Sequence, residues 1–262
     1  MADLWMPGAT RADVGDHAPC DTQYPPKAIA HITWDRNATA ASPADLVPYA
    51  NLKVYFTGAG RPVAPHILWD PFEGRFAQFY PANSRSKSLA DASGGTRTNR
   101  AGKVVIQVEA LFFPYCRYGG KVYPRLVDTP RKGWDQLHAW VKSWGVPDAW
   151  PMGRPVDFVS RRSDSVWETR GGWYGHSQVP ENSHQDPGSW PDFPVKEDDM
   201  PSAEEIADAV WAKQLASPTA PTGTDPNRSA GTFLRWGDQH HREVMTRLAA
   251  VEEELAALKA QK

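Results

Sequence analysis

The chain is poor in cysteine and carries no excess charge of either sign. Its 262 residues include two cysteines, Cys20 and Cys116, which are too few for a disulfide framework and do not form a Cys-x-x-Cys pair. We expect both to be buried thiols. The formal net charge is −2, and no long block of Lys or Arg occurs. Nothing in this pattern would concentrate nucleic acid, so we expect no nucleic-acid partner.

The sequence also lacks a long apolar run. No stretch approaches the roughly 18–20 apolar residues that span a bilayer, so we expect no membrane insertion. The N terminus, which reads MADLWMP, has no basic segment followed by an apolar one, as a secretory signal peptide does. We therefore expect a protein that is made in the cytoplasm without such a signal.

Proline and tryptophan are frequent, with 24 and 12 residues respectively. Pro7, Pro19, Pro25 and Pro26 occur with little periodicity around them, which predicts an extended arm over residues 1–26 on the surface of the domain that follows. Tryptophan offers a flat apolar face. Most of the tryptophans are therefore expected in the core, and a few are candidates for contact with a sugar.

Three segments are typical of β-structure. Residues 28–32 (AIAHI) form a short apolar run that predicts a buried strand with His31 near its end. Residues 66–80 predict a hairpin that turns between Pro71 and Gly74. Residues 103–113 (KVVIQVEALFF) are apolar on both faces and predict a central strand.

Two segments of the N-terminal half are typical of helices. Ser42 followed by Pro43 resembles a helix start, and apolar residues follow at helical spacing. Residues 128–144 carry apolar residues three and four positions apart before Gly145, which predicts an amphipathic helix. Residues 148–194 are rich in Trp, Gly and Pro and are predicted as loop with short elements.

The C-terminal part has a different composition. Residues 195–231 predict a helix that opens at Ser202, followed by a polar linker. Residues 232–262 predict an amphipathic helix with a heptad repeat, which indicates a short coiled coil and a homo-oligomer. A terminal helix packed on its own domain is the alternative. The repeat consists of Val244, Leu248, Val251, Leu255 and Leu258.

Histidine and aspartate near residue 180 suggest a metal site. Residues 175–188 read GHSQVPENSHQDPG, and a catalytic zinc needs three protein ligands and one open position. His31, His176 and Asp186 would supply these ligands. The spacing alone does not distinguish this site from a buried histidine in a core strand.

Several further residues, which occur in a fixed order along the chain, favour the interpretation as a metal site. They comprise His31 at a strand end, the hairpin with His66, Asp70, Gly74 and Gln78, then Asn99 before a strand ending in Glu109, then Gly175-His176, and finally Asp186-Pro187-Gly188. In this order the chain resembles the zinc-dependent N-acetylmuramoyl-L-alanine amidases, a family shared by phage lysins, bacterial muropeptide amidases and peptidoglycan recognition proteins. The resemblance covers residues 27–194. It implies an α/β fold with a mixed central β-sheet flanked by helices.

The chain departs from the family pattern at several positions. Ala64 stands where the family has a serine before the hairpin histidine, and Gln107 replaces a small glycine of the central strand. A histidine that often precedes the asparagine is absent, because residues 90–93 read ADAS. Residues 148–170 form a long insertion. These differences bear on the substrate groove more than on the metal site.

The resemblance implies roles for individual residues. One Zn2+ per chain would be held by His31, His176 and Asp186, and Glu109 would act as the general base. His184 takes a position where relatives often carry lysine and would stabilise the oxyanion. His66 is expected to have a structural role. The candidates for substrate contact are Trp173, Tyr174, Trp190 and Asn99.

The implied function is hydrolysis of the amide bond between N-acetylmuramic acid and L-alanine in peptidoglycan by zinc-activated water. We expect an endolysin-like enzyme of a phage or prophage that acts on the cell wall after release or delivery. One alternative is a recognition module that binds peptidoglycan without cutting it; family members of that kind have lost a zinc ligand. Another is a cell-wall drill carried on a particle.

Overall fold

The structure is a computed structural model that describes residues 2–91, 95–194, 203–216 and 227–260. The chain divides into two compact units, Met1–Pro194 and Val195–Lys262. Within the described ranges, no helix is both long enough and apolar enough to cross a membrane.

The first unit is a mixed α/β structure, as predicted. Its elements in chain order are β1 (Thr10–Arg11), β2 (Lys27–Ile32), β3 (Ala44–Asp45), α1 (Tyr49–Thr57), β4 (Ile67–Asp70), β5 (Arg75–Gln78), β6 (Val105–Ala110), β7 (Cys116–Tyr118), β8 (Lys121–Tyr123), α2 (Trp134–Ser143), α3 (Asp164–Thr169) and β9 (Gly172–Gly175). The main sheet has the order β1-β5-β4-β6-β2-β9. Only the β4–β5 pair is antiparallel, so the sheet is mixed.

Strand β6 lies inside the sheet between β4 and β2, and all six of its residues are buried. This confirms the prediction of a central strand for the apolar run. The predicted hairpin is also confirmed, since β4 pairs with β5 in antiparallel register. Asp70 Oδ1 accepts hydrogen bonds from the backbone N–H groups of Phe72 and Glu73, which closes the turn between the two strands.

The two faces of the sheet are covered by different helices. Alternate residues of the strands point to opposite faces. On one face, Leu137 and Val141 of α2 pack with Ile106 and Val108 of β6. On the opposite face, α1 packs through Leu52, and α3 packs through Trp167. The sheet is therefore flanked by helices on both faces, as predicted.

The predicted helix start at Ser42 is wrong. Ala44 and Asp45 instead form β3, which pairs in parallel with Cys116 and Arg117 of β7. Helix α1 begins only at Tyr49, because Pro48 takes an extended conformation and disfavours a helical conformation at Val47 before it. The predicted helix over 128–144 is confirmed in its C-terminal part. It begins at Trp134, after Gly133 in the left-handed region with φ of +80°.

The N-terminal arm contributes to the fold of the first unit instead of lying on its surface. Strand β1 extends the sheet by pairing in parallel with β5. Met6 is buried, and its N–H donates a hydrogen bond of 2.6 Å to Oε1 of Gln78. Val14 is buried in the cluster with Phe79 on the other side of the sheet. Both cysteines are buried and free, as predicted.

Strand β9 was not predicted. Its four residues pair in parallel with β2, from Lys27 opposite Gly172 to Ala30 opposite Gly175. Strand β2 therefore has a parallel neighbour on each side, β6 and β9. The carboxyl ends of these three strands meet at one edge of the sheet.

The second unit contains α4 (Ala203–Ala212), a small hairpin of β10 (Gln214–Ala216) and β11 (Asn227–Ser229), and α5 (Ala230–Ala260). Helix α5 confirms the predicted C-terminal helix, although the coiled coil stays a prediction. Four apolar residues of the heptad are exposed by 50–58% along α5, namely Val244, Leu248, Val251 and Leu255. The predicted helix start at Ser202 and most of the predicted linker, residues 217–226, lie outside the described residues.

Candidate metal centre

Three side chains converge at the carboxyl edge of the sheet. His31 is the penultimate residue of β2, and His176 follows directly on β9. Asp186 returns to the same place from the loop after His176. One potential ligand atom of each residue lies within 4.8 Å of the others, and all three residues are buried. The structure thus brings together the three ligands that the sequence predicted.

The spacing of the ligand atoms suits a small cation. Nδ1 of His31 and Nδ1 of His176 are 3.1 Å apart, and Nδ1 of His176 is 3.1 Å from Oδ1 of Asp186. Nδ1 of His31 is 3.8 Å from Oδ2 of Asp186. Tetrahedral bonds of about 2.0 Å would place ligand atoms about 3.3 Å apart. The two imidazole nitrogens and the carboxylate oxygens are therefore separated by distances close to those between zinc ligands.

The protonation of the cluster also favours a cation. Burial lowers the pKa of His31 well below its ordinary value, and the neighbouring His176 lowers it further. Burial raises the pKa of Asp186, but the close contact with His176, the nearby His31 and the hydrogen bond from the N–H of Ile32 hold that pKa below its usual value. The cluster thus consists of a neutral imidazole beside a carboxylate. Metal coordination requires these forms.

A buried carboxylate oxygen of the cluster supports this fit. Within the described residues, Oδ1 of Asp186 and Nε2 of His31 have no hydrogen-bond partner. The other carboxylate oxygen, Oδ2, accepts a hydrogen bond of 3.1 Å from the backbone N–H of Ile32. A buried carboxylate oxygen without a partner is costly. A cation between the three side chains would satisfy Oδ1 of Asp186.

Asn182 orients His176 and was missed at the sequence level. Its Oδ1 lies 3.1 Å from Nε2 of His176 and also accepts a hydrogen bond from the N–H of Ala90. Its Nδ2 donates to the carbonyl of Pro180 at 2.8 Å. Because Oδ1 can only accept, Nε2 of His176 must carry the proton, which leaves Nδ1 free to bind a metal. An asparagine six positions after a histidine has no sequence signature that would reveal this role.

Glu109 lies beside the cluster. It stands opposite His31 in the parallel register of β2 and β6, so the two side chains share one face of the sheet. The residue is 9% exposed and lines the same cavity as the three ligands. Burial raises its pKa well above the ordinary value, and repulsion by Asp186 and Asp35 raises it further. A bound cation would lower the pKa of Glu109, because it would stabilise the carboxylate.

His184 sits at the rim of the cluster. Its side chain is 69% exposed, and its Nδ1 lies 3.8 Å from Oδ1 of Asp186. Its ring stacks on the ring of His176 with centroids 4.6 Å apart. Partial burial lowers its pKa, and His176 lowers it further. The imidazole is therefore placed to contact a molecule in the cavity.

A cavity of about 440 Å³ opens over the cluster. A second cavity of about 310 Å³ adjoins it and shares four lining residues, Val63, Ser88, His176 and His184. The remaining lining residues of the first cavity are His31, Ile32, Thr33, Trp34, Tyr55, Phe56, Glu109 and Asp186. The cluster thus lies in a cleft of the size of a small-ligand site.

The structure contradicts three of the predicted substrate contacts. Trp173, Tyr174 and Trp190 are fully buried, so no ligand can stack on them. Trp173 and Trp190 pack against Trp134 with ring centroids 5.4 and 6.0 Å apart. The Tyr174 hydroxyl donates to the carbonyl of Arg170 at 2.9 Å. These aromatic rings belong to the core because they bury large apolar faces there.

Asn99 is not brought to the cavity either. It is buried, and its backbone N–H donates to Oδ1 of Asp91 at 3.1 Å. The residues that line the two cavities of the cleft do not include it. Its position supports the loop before β6 and provides no contact for a ligand at the cluster.

His66 has the structural role that was expected of it. Its Nδ1 accepts a hydrogen bond of 3.0 Å from the N–H of Gln107, and its Nε2 donates to the carbonyl of Ser84 at 2.8 Å. Burial lowers the pKa of His66 to about 4. The neutral ring thus connects the hairpin to the central strand.

Comparisons of the chain with protein-family models, with curated proteins and with solved structures found no match. The resemblance to the amidases therefore rests on the ordered residues in the sequence. The geometry of the candidate metal centre stands independently of that resemblance.

Proposed function

We propose that the chain is a zinc-dependent N-acetylmuramoyl-L-alanine amidase with the amidase fold in its first unit. The observation that carries the proposal is the buried set of His31, His176 and Asp186, with Glu109 beside it, at the floor of one cleft. All four residues follow the order of the family pattern in the sequence, and they lie together in one cleft. These two observations support the proposal.

The ligand set fits a catalytic zinc. Two histidines and one carboxylate are a common set for zinc enzymes, and the cleft over the three residues leaves room for water and substrate. When bound, zinc supplies Lewis acidity to a substrate carbonyl and makes water easier to deprotonate. The remaining steps of the reaction fall to the side chains around it.

Glu109 is the proposed general base. Its carboxylate accepts a proton from the attacking water while the water oxygen bonds to the lactyl carbonyl carbon. It then delivers that proton to the nitrogen of L-alanine as the C–N bond breaks. Burial favours the protonated form of Glu109 and a bound cation would favour its carboxylate, and this exchange uses both forms.

His184 is the proposed stabiliser of the oxyanion. Its exposed imidazole at the rim of the cleft is able to donate a hydrogen bond to the carbonyl oxygen as negative charge develops there. Asn182 contributes indirectly by fixing the proton of His176 on Nε2. The catalytic residues are therefore Glu109 and His184, and Asn182 is a positioning residue.

We further propose that the substrate is peptidoglycan and that the enzyme lyses cell walls for a phage or prophage. The insertion over 148–170 and the separate second unit are additions that a minimal enzyme for muropeptide recycling would not need. Attachment to a particle and binding of peptidoglycan without cleavage are the competing functions. Both make different predictions for the purified chain.

The test measures zinc content and peptidoglycan hydrolysis in the same preparations. We expect about one zinc per chain, with release of new L-alanine amino termini and no new reducing sugars. His176→Ala should lose both the metal and hydrolysis, whereas Glu109→Gln should keep the metal and lose hydrolysis. His17→Ala, which changes an exposed histidine paired with Asp13, is the matched control and should behave as wild type.

Two results would reject the proposal. Wild-type chain that binds peptidoglycan but holds no zinc and releases no amino termini would be a recognition module. Release of reducing sugars would indicate a glycosidase instead of an amidase.

A further inference from the structure

Trp34 has an unusual backbone conformation at the edge of the cleft. Its φ is +37°, a region that bulky residues rarely adopt. Hydrogen bonds hold the backbone there, since the N–H of Thr33 donates to Ala110 and the N–H of Trp34 donates to Phe112. The Thr33 hydroxyl adds a further contact to the carbonyl of Phe112. Conformations of this kind are often kept where a side chain has a function.

The insertion over residues 148–170 packs against the indole ring of Trp34. Phe158 packs against Trp34 with ring centroids 4.7 Å apart. Phe158 in turn lies against Gly188, where a Cβ atom would come within 2.2 Å of the phenyl ring. Gly188 is two residues after Asp186 in the metal-binding loop. The stack of Trp34, Phe158 and Gly188 thus fixes the indole ring relative to the metal ligands.

The outer face of the ring is available to a ligand. Trp34 is 36% exposed and lines the same cavity as His31 and Asp186. A tryptophan that served only as core packing would bury this face, as Trp173 and Trp190 do. Its position therefore provides a flat, rigid apolar surface beside the reaction site.

The two cavities of the cleft differ in their aromatic residues. Trp34 and Tyr55 contribute aromatic surface to the first cavity only. The adjoining cavity is lined by the charged Lys87 and Glu181 together with apolar residues such as Leu89. A muramoyl peptide has a matching asymmetry, because its pyranose ring presents an apolar C–H face that suits an aromatic ring and its stem peptide carries charges. The aromatic side thus matches the sugar.

We propose that Trp34 is a specificity-determining residue that stacks on the N-acetylmuramic acid ring, with Phe158 as its positioning residue. The inference rests on the proposed function, since it takes the substrate class from there. It places the sugar on the Trp34 side of the metal and the stem peptide on the Lys87 side.

The experiment compares the binding of two ligands that differ only in the sugar. Calorimetry measures the dissociation constants of N-acetylmuramoyl-L-alanyl-D-isoglutamine and of lactoyl-L-alanyl-D-isoglutamine. The Glu109→Gln chain loaded with zinc serves as background, so that neither ligand is cut. Trp34→Ala should weaken binding of the muramoyl ligand about tenfold and leave the lactoyl ligand unchanged.

Further variants separate recognition from folding. Phe158→Ala should cause a smaller loss of the same selectivity, and Trp34→Phe should restore part of it. Trp211→Ala, at an exposed tryptophan of α4, is the matched control and should keep the wild-type ratio. Zinc content should be equal in all of these chains.

Equal weakening of both ligands by Trp34→Ala, an unchanged affinity for the muramoyl ligand, or no binding of that ligand by the parent chain would overturn the assignment. These outcomes are distinct from failure of the proposed function, which is read from wild-type cleavage alone. A chain that does not cut the amide but loses sugar selectivity through Trp34→Ala would keep the stacking role and lose the amidase role.

Discussion

Nε2 of His176 lies 3.1 Å from Oδ1 of Asn182, on the side of the imidazole opposite the candidate ligand atom. The asparagine is itself fixed by the N–H of Ala90 and the carbonyl of Pro180. A ring held in this way presents Nδ1 to the cluster before any metal arrives. Asn182 is therefore part of the candidate metal centre, although it is not one of the three candidate ligands.

Removal of this amide should weaken metal binding. We expect Asn182→Ala to lower zinc affinity about 10- to 100-fold, because His176 would lose the group that sets its tautomer and orientation. Competition with a chromogenic chelator measures the affinity. Asn182→Asp keeps an acceptor and should bind zinc more tightly than Asn182→Ala. Asn51→Ala, at an exposed position of α1, is the control, and equal affinities of the alanine variants would contradict the role of Asn182.

The buried His66 should make stability depend on pH. Its folded pKa of about 4 is depressed below its unfolded value of 6.5, so its contribution to stability is fully present above pH 6.5. That contribution falls as the pH drops from 6.5 to 4, by about 3 kcal/mol in total. His66→Gln should lose less stability over this interval than wild type. Denaturant unfolding at pH 7.5 and at pH 4.5 measures the difference, and parallel losses would argue against it.

Trp190 should matter for folding and not for ligand binding. Trp190→Ala should lower the free energy of unfolding by about 3–5 kcal/mol, because it would leave a cavity beside Trp69 and Trp134. Trp190→Phe should recover part of this loss. Equilibrium unfolding in denaturant provides the measurement. A stable Trp190→Ala chain with weakened peptidoglycan binding would restore the interpretation of Trp190 as a substrate contact.

The exposed heptad face of α5 should mediate self-association. We expect a mass of at least twice the 29.1 kDa of one chain in light scattering, with a dependence on concentration. Deletion of residues 232–262 or Leu248→Glu should give the mass of one chain. Ala249→Glu, one position outside the apolar stripe, is the matched control and should associate as wild type. A single-chain mass for the wild type at all concentrations would exclude the homo-oligomer.

The strands that sequence reasoning predicted have strong local patterns. The run around β6 is mostly apolar, and all six residues of the strand are buried, because helices cover both faces of the sheet. The β4–β5 hairpin has turn residues at the required positions, including Gly74 with φ of +71°. In both cases the local pattern and the tertiary environment agree, so both elements could be predicted from the sequence.

The missed elements depend on distant parts of the chain. Strand β9 has only four residues, two of them glycine, and is defined by pairing with β2 about 145 positions earlier. The Ser42-Pro43 pair has the local signature of a helix start, but the segment pairs with β7 instead. Local propensity cannot anticipate such long-range pairing.

The residues of the candidate site also fall into those that the sequence predicted and those that depend on distant contacts. His31, His176 and Asp186 were found because their order resembles a family pattern, since a separation of 145 positions contains no geometric information. Trp34 and Asn182 lie outside that pattern, and only the folded chain shows their contacts. The composition likewise could not show that Trp173 and Trp190 are core residues, because a flat apolar ring suits both a core and a ligand site.

Strand β9 forms one end of the main sheet and is paired with β2 along one side only. His31 and His176 belong to these two strands or follow directly on them, so an ion shared by the two imidazoles would cross-link the last strand to its neighbour. The outer side of β9 is covered by the segment around Ala149, whose carbonyl accepts the N–H of Trp173. The ion would therefore tie the last strand to the rest of the sheet, and removal of the metal would loosen that end of the sheet.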